Sequence, residues 1–272
     1  MSQNMLLAID IGNTNISCGV FPAGKIRGRF YFSKLRSKRK IEPSPIKTFD
    51  LPTKQYSRNK LLKKIGSLKI ADSLICSVVP GINKVIAKDL AWITGKKPYI
   101  IGKGVSVPIK NRYHNPKQTG QDRLVNAYAA SIIYGAPVIV VSCGTAITTD
   151  VVAKDRSYLG GLIQPGLSLM LEALNLRTAL LPRIKLAGVN NLIGKDTKSS
   201  ILNGVILGTC AGIDQLTEKI KRLTGKNTRI IGTGGNCKIL RRFSKNIKHI
   251  DEELILKGMY LIYKNKIINK IS

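Results

Sequence analysis

Asp10 closes an apolar run and is followed by Gly-Asn-Thr-Asn in LLAIDIGNTN, residues 6–15, before a second apolar run begins. That order puts a carboxylate, a glycine and several amide or hydroxyl side chains at one sharp corner. The carboxylate could hold a divalent cation, while Gly12 to Asn15 bring backbone and side-chain donors towards phosphate oxygens. The plainer reading is a β-hairpin whose Asp and Asn are turn formers. A second corner of this kind stands in VVSCGTAITTD, residues 140–150, where Gly144 and Thr145 could receive phosphate or simply end a Ser/Thr-rich strand. Between them lies GQDR, residues 120–123. A carboxylate such as Asp122 can orient an alcohol and accept its proton, and an Asp at a helix start is also a common cap. The neighbouring Asn-Pro, Gly120 and Arg123 favour the base. Arg123 suits bidentate contact with a carboxylate or phosphate, or else a structural ion pair. Gly232 to Gly235 could pass close to a nucleotide, or form a bare Gly-rich turn.

These groups must be positioned by strands and helices in alternation. LLAIDIG, ISCGVF and IRGRFYFS read as three consecutive strands. Residues 33–56, with Pro43, Pro45 and Pro52, read as an irregular basic loop. A short helix over 59–67, the strand SLICSVVP (73–80), a helix over 82–94 and the strand PYIIG follow. The second half repeats the theme: a helix over 122–134, then the strands PVIVVSCG, AITTDVV and YLGGLIQPG. A helix over 168–176 precedes one over 198–223 that is either unusually long or broken at Gly204, Gly208 and Gly212. TRIIGTGG, NCKILRRF, IKHID and a final amphipathic helix over 252–268 close the chain. Both halves drive an apolar strand into a Gly-Thr-type corner and leave by a second strand. An internal duplication follows, with residues 1–118 and 119–272 as its two domains and the two corners facing one another.

The 272 residues are 43% hydrophobic with 25 glycines, as in a folded globular chain. MSQNMLLAID has no basic leader, and no apolar run approaches the roughly 18 residues of a membrane span. Cysteines 18, 76, 143, 210 and 237 are odd in number and form no Cys-x-x-Cys, which points to a reducing, cytoplasmic setting without structural zinc. His114 and His249 lie far apart and suggest no metal site. The net charge of +30 has the reach to attract nucleic acid or anionic membranes. Yet the basic residues are spread along the chain without aromatic interleaving or a zinc-finger spacing, so a solvated lysine coat is expected and neither partner is.

AIDIGNTN, NPKQTGQDRLVNAYAA, VVSCGTAITTD, YLGGLIQPG, IGKDT and GTGG, in this order, resemble the type III pantothenate kinases of the acetate and sugar kinase, Hsp70 and actin superfamily. The resemblance covers nearly the whole chain. It implies an α/β protein of two ribonuclease-H-like domains (duplicated βββαβαβ-type units) with an interdomain nucleotide cleft. The implied activity is ATP-dependent phosphorylation of pantothenate to 4′-phosphopantothenate, the first step of coenzyme A synthesis, by a homodimer. Asp122 matches the catalytic aspartate. Asp10, Ile11, Gly12, Asn13, Thr14, Asn15, Ile16, Ser17 and Thr145 match the ATP contacts, with Asp10 as the Mg²⁺ position. Tyr113, Gly120, Gln121, Asp122, Arg123 and Thr197 match the pantothenate contacts. Taken locally, Tyr113 is also a loop aromatic and Thr197 a helix-start residue.

Two positions depart from the family pattern. Where the family carries Asp-x-Gly-Thr and uses that aspartate for a monovalent cation, K⁺ or NH₄⁺, this chain has Ser142. A hydroxyl can ligate potassium but adds no charge, so a weakened or absent cation site is expected, with the basic surface or Asp150 as a substitute. This departure keeps an alternative open: a homologue without turnover that binds nucleotide or pantothenate as an accessory protein. The family's Gly-Ala-Asp-Arg is here Gly-Gln-Asp-Arg, with both charged neighbours of Gln121 kept.

Overall fold

Leu6, Leu7, Ala8, Ile9 and Ile11 are all buried, so β1 (Met5–Ile11) has an apolar environment on both faces, as an interior strand requires. In the structure, a computed structural model describing residues 4–24 and 43–265, β1 pairs antiparallel with β2 (Asn15–Pro22) and parallel with β4 (Ile70–Ser77). The first sheet is completed by β3 (Lys47–Pro52), β5 (Tyr99–Ile101) and β6 (Gly104–Val105), in the order β3-β2-β1-β4-β5-β6. Helices α1 (Arg58–Ile65) and α2 (Pro80–Thr94) cover one face through Leu61, Ile65, Ile86 and Leu90. Pieces of α3 (Gln121–Ile133) and α7 (Leu254–Tyr263) also pack in this unit, with Phe21 stacked on Tyr260 at 4.7 Å. Gly258 permits the close approach, since a Cβ there would lie 2.8 Å from the Val125 side chain.

The second sheet contains β7 (Val138–Cys143), β8 (Ala146–Val152), β9 (Tyr158–Pro165), β10 (Arg229–Thr233) and β11 (His249–Ile250), ordered β11-β10-β7-β8-β9. Helices α4 (Leu167–Arg177), α5 (Thr197–Thr224) and α6 (Cys237–Arg241) share its core with Ile139, Val141 and Ile147. Read from β9, this order is β9-β8-β7-β10-β11, the same as β3-β2-β1-β4-β5. In each sheet the first three strands pair antiparallel and the last two parallel. Both are ribonuclease-H-like. One compact unit comprises Met1–Pro108, Gly120–Ala129 and Ile255–Ser272, and the other Ile109–Thr119 and Ala130–Leu254.

Two expectations are corrected. Residues 47–52, assigned to a loop, form the edge strand β3, because Phe49 and Leu51 alternate with polar residues and Pro52 falls at the strand's last position, where it interrupts nothing. The strand SLICSVVP ends at Ser77, and Pro80 instead opens α2 at a position that needs no donor. Of the two readings left open for α5, the long one holds: it runs 28 residues without a break. Its buried face, Leu202, Val205, Ile206, Cys210 and Ile213, carries it past Gly204, Gly208 and Gly212, where a Cβ would meet nothing within 4 Å. The strand expected over 26–33 and the loop residues 33–42 lie outside the described residues.

Candidate active site

In the first unit, β1 carries Asp10 to the sheet's end, opposite Ser17 of β2 and Cys76 of β4. Burial, then the charge of Asp122, pushes the Asp10 carboxyl up to about 8, against a smaller lowering by the Cys76 thiol hydrogen bond. Two carboxylates from distant stretches of sequence are therefore near enough to repel. This acidic oxygen set suits a hard cation, whose charge would offset both burial and the like-charge contact, so the residues present fit Mg²⁺ at Asp10. Among the described residues no three His, Cys, Asp or Glu converge as a metal cluster, but magnesium beside phosphates needs only one or two carboxylates.

The corner after Asp10 is tight. Gly12 N–H donates to the Asn15 carbonyl at 3.0 Å, and a Cβ on Gly12 would come within 3.1 Å of that oxygen. Asn13, Thr14 and Asn15 are exposed, while Ile11 and Ile16 are buried in the core. Those two isoleucines can therefore offer a nucleotide only backbone. Ser17 donates to Asp50 Oδ1 across β3 at 2.6 Å. Thr53, in the stretch assigned to a loop, donates its hydroxyl to the Gly12 carbonyl at 2.8 Å and its N–H to the Thr14 carbonyl at 2.9 Å. Sequence reasoning missed Thr53; the alternation of Phe49 and Leu51, which brings β3 beside the corner, was the available signal.

Asp122 lies in the first turn of α3 and accepts from its own backbone N–H and that of Arg123. Those two amides fix the carboxylate at the helix start, a structural role that does not compete with a chemical one. Burial holds its titration above the ordinary carboxylate range, opposed by those amides and by the Arg123 charge. Arg123 is buried. Gly120 is required sterically, since a Cβ there would sit 2.6 Å from Asp122 Oδ1. Gln121 packs over Gly102, whose φ of +82° and missing Cβ make room for it.

In the second unit, the Gly144–Thr145 corner is closed by two other strand ends. A Cβ on Gly166 would meet the Thr145 carbonyl at 2.3 Å, and one on Gly234 (φ +85°) the Cys143 carbonyl at 2.8 Å. The GTGG turn is therefore built against this corner. Ser142 pairs in register with Thr148 on one side and Thr233 on the other, a row of neutral hydroxyls. Asp150 is fully buried and accepts from Thr148 at 2.8 Å and from Tyr158 at 2.8 Å. Tyr113 lies over Gly160, with its ring 5.9 Å from that of Tyr158, and its N–H is held by Asn111. Thr197 is the first residue of α5, following the Asp196 cap, and borders an open concavity of ≈ 570 Å³ with Leu181, Lys195 and Ser200. Gly194 explains the glycine of IGKDT, since a Cβ there would be 2.3 Å from the Ser200 nitrogen. The structure thus gathers Asp10, the 12–17 corner and Gly120–Arg123 in one unit, and Tyr113, Ser142, Thr145 and Thr197 in the other.

The family model for type III pantothenate kinases matches residues 6–219. A type III pantothenate kinase from Agathobacter rectalis is 34% identical over 263 residues, covering 96% of this chain and 98% of that protein. The chain belongs to the type III pantothenate kinases. Among solved structures, a Baf family transcriptional activator from Campylobacter jejuni superposes with a TM-score of 0.59 at 19% identity, covering 98% of this chain and 100% of its own. The ethanolamine utilization protein EutJ from Carboxydothermus hydrogenoformans gives 0.51 at 12% identity, over 96% and 91% of the two chains. At these identities the likeness concerns the fold alone. The family match runs over most of the chain and includes the stretch that carries Ser142.

Proposed function

We infer that the chain transfers the γ-phosphoryl group of ATP to the 4′ hydroxyl of pantothenate, in coenzyme A synthesis. The observation that carries this is the convergence of Asp10 and Asp122 in one unit of a chain that belongs to this kinase family. Asp122, anchored by helix amides, orients the pantothenate hydroxyl and takes its proton as the bond to phosphorus forms. Arg123 meets the substrate's carboxylate or the transferring phosphoryl. The corner from Ile11 to Ser17 and the corner at Thr145 are the phosphate cradles; Tyr113, Gly120, Gln121 and Thr197 contact pantothenate. Mg²⁺ at Asp10, when bound, neutralises charge on the phosphate oxygens. Residues 1–118 and 119–272 are read as the duplicated halves, which the common strand order supports.

The cation requirement is read as weakened at Ser142, whose neighbours in register are hydroxyls, while Asp150 on the adjacent strand β8 is tied to Tyr158 and Thr148. Coupled ADP release tests both points. Pantothenate-dependent turnover is expected with Mg-ATP, and at similar rates in sodium, potassium and ammonium buffers. A tenfold or greater stimulation by potassium would overturn the cation reading. No turnover in any buffer, with ATP still bound, would leave the accessory-protein reading.

A homodimer is the second part of the proposal. Exposed large apolar side chains crowd the edge strand β9 and the stretch after it, among them Leu162, Ile163, Leu176, Leu180, Leu192 and Ile193. Such a surface is costly in water and suits burial against a second copy. Sedimentation at micromolar concentration is expected to give a dimer, and Leu192→Asp with Ile193→Asp a monomer; a monomeric parent protein would refute it. A cytoplasmic enzyme without a membrane or nucleic-acid partner is the accompanying reading. No helix among the described residues is long and apolar enough to cross a membrane.

A further inference from the structure

We propose that Thr53 is a positioning residue that aims the first phosphate corner, by holding two of its carbonyls away from the nucleotide. This rests on the reading of residues 12–15 as a phosphate cradle. The observation is a double hydrogen bond from one residue. Thr53 Oγ1 donates to the Gly12 carbonyl at 2.8 Å, and Thr53 N–H donates to the Thr14 carbonyl at 2.9 Å. A trans peptide is planar, with its carbonyl and the next residue's N–H pointing in opposite directions. Fixing the carbonyls of Gly12 and Thr14 on Thr53 therefore turns the N–H groups of Asn13 and Asn15 the other way. Two donors on alternate residues, facing away from their support, form a small concave anion site.

The arrangement departs from an ordinary two-residue hairpin. There the residues flanking the loop exchange both hydrogen bonds, and the second would run from Asn15 N–H to the Gly12 carbonyl. Here only Gly12 N–H to the Asn15 carbonyl is made, at 3.0 Å, and the Gly12 carbonyl is taken by the Thr53 hydroxyl. The Gly12 carbonyl is thus satisfied by the hydroxyl, and the Asn15 donor is not spent on it. Thr53 is itself held in place: it is 8% exposed and begins a 3-10 turn directly after β3, whose pairing runs from Val20↔Lys47 to Asn15↔Pro52. Carbonyl oxygens turned towards a polyphosphate would repel it, so the clamp works by removing repulsion as well as by presenting donors.

The test is Thr53→Val, which keeps shape and backbone N–H and removes the hydroxyl, beside Thr53→Ser, which restores it. Calorimetric titration of the purified protein with Mg-ATP is expected to show about tenfold weaker binding for Thr53→Val, the factor given by one lost net hydrogen bond. Thr53→Ser is expected within about twofold of the parent, and KM for pantothenate is expected unchanged in both. A merely structural Thr53 would lower Tm without moving the nucleotide Kd, so an unchanged Kd in folded Thr53→Val overturns the proposal. Should that variant not fold, Thr53→Cys, with a weak donor, is expected to bind Mg-ATP several-fold more weakly than the parent, and parent-like binding there overturns the proposal equally. Binding is read without turnover. Loss of the kinase reading would appear as a parent protein that binds ATP but releases no ADP, and weak binding by the parent itself would indict the cradle.

Discussion

Asp122→Asn is expected to lower kcat by about 10²- to 10⁴-fold while leaving nucleotide affinity near that of the parent. Asparagine is isosteric, and its Oδ1 can still accept from the amides of residues 122 and 123 that now hold the carboxylate. The helix start and the fit beneath Gly120 are therefore retained. What is lost is the ability to take a proton. Were Asp122 only a cap, the variant would keep most of its activity, because Asn caps about as well as Asp. The coupled ADP assay thus separates two roles that the geometry combines. The same group predicts the acid limb of the pH profile. Its folded-state titration is raised, so the parent's kcat/KM should climb with pH through a range above that of a free carboxylate. The residual rate of Asp122→Asn should lack that limb.

Asp10→Asn is expected to act in opposite directions on stability and on activity. Removing the carboxylate takes away the Mg²⁺ position, and with it on the order of 10²-fold or more in kcat. In the ligand-free protein the same change relieves a burden. The Asp10 carboxyl is pushed from 3.8 up to about 8 by burial first and then by Asp122. A carboxyl raised in this way makes its full contribution to stability below about 3.8, and the contribution is lost as pH rises through about 8. The parent should therefore lose Tm between mildly acidic and mildly alkaline buffer, and Asp10→Asn should lose less. At pH near 8.5 the variant is expected to melt higher by on the order of 5 °C. Mg²⁺ should raise the Tm of the parent at alkaline pH, where the carboxylate is ionised, and do little for the variant. Identical pH dependence of melting in the two proteins would remove Asp10 from this role. The two substitutions should not be additive, because Asp122 is part of what raises Asp10.

Much of this site was legible because its residues sit where local chemistry is distinctive. LLAIDIGNTN could be read as strand, acid and corner because the apolar run and the Gly-Asn pair are both short-range signals, and β1 and β2 meet around that turn. GQDR could be read as a helix start for the same reason. The duplication was read from two matching corners, and the strand order shared by five strands of each sheet agrees with it. What could not be read was what reaches a corner from elsewhere. Thr53 lies 41 residues from Gly12, inside a basic stretch whose prolines hid the short edge strand β3. Gly166 and Gly234 look like ordinary turn glycines until the carbonyls of Thr145 and Cys143 are found where their side chains would be. The three glycines of α5 left a long helix and a broken one equally readable. They face open space, so the packing of the other face decided the helix. Asp10's titration was likewise invisible, because it depends on a carboxylate that is 112 positions away and is brought near only by folding.

The thiols have a consequence for how this protein can be watched. All five cysteines are free and buried, Cys18 and Cys76 in the first unit and Cys143, Cys210 and Cys237 in the second. A water-soluble alkylating reagent can reach them only in molecules that have opened locally. The rate at which each sulfur is tagged therefore clocks the opening of its own unit, with no label or probe introduced. Cys76, which donates to Asp10, clocks the floor of the catalytic corner itself. Cys143 and Cys237 do the same for the turn that receives Gly234. Mass spectrometry of the tagged peptides turns five silent core residues into a map of which half of the kinase breathes first, and of how far a bound nucleotide quiets each.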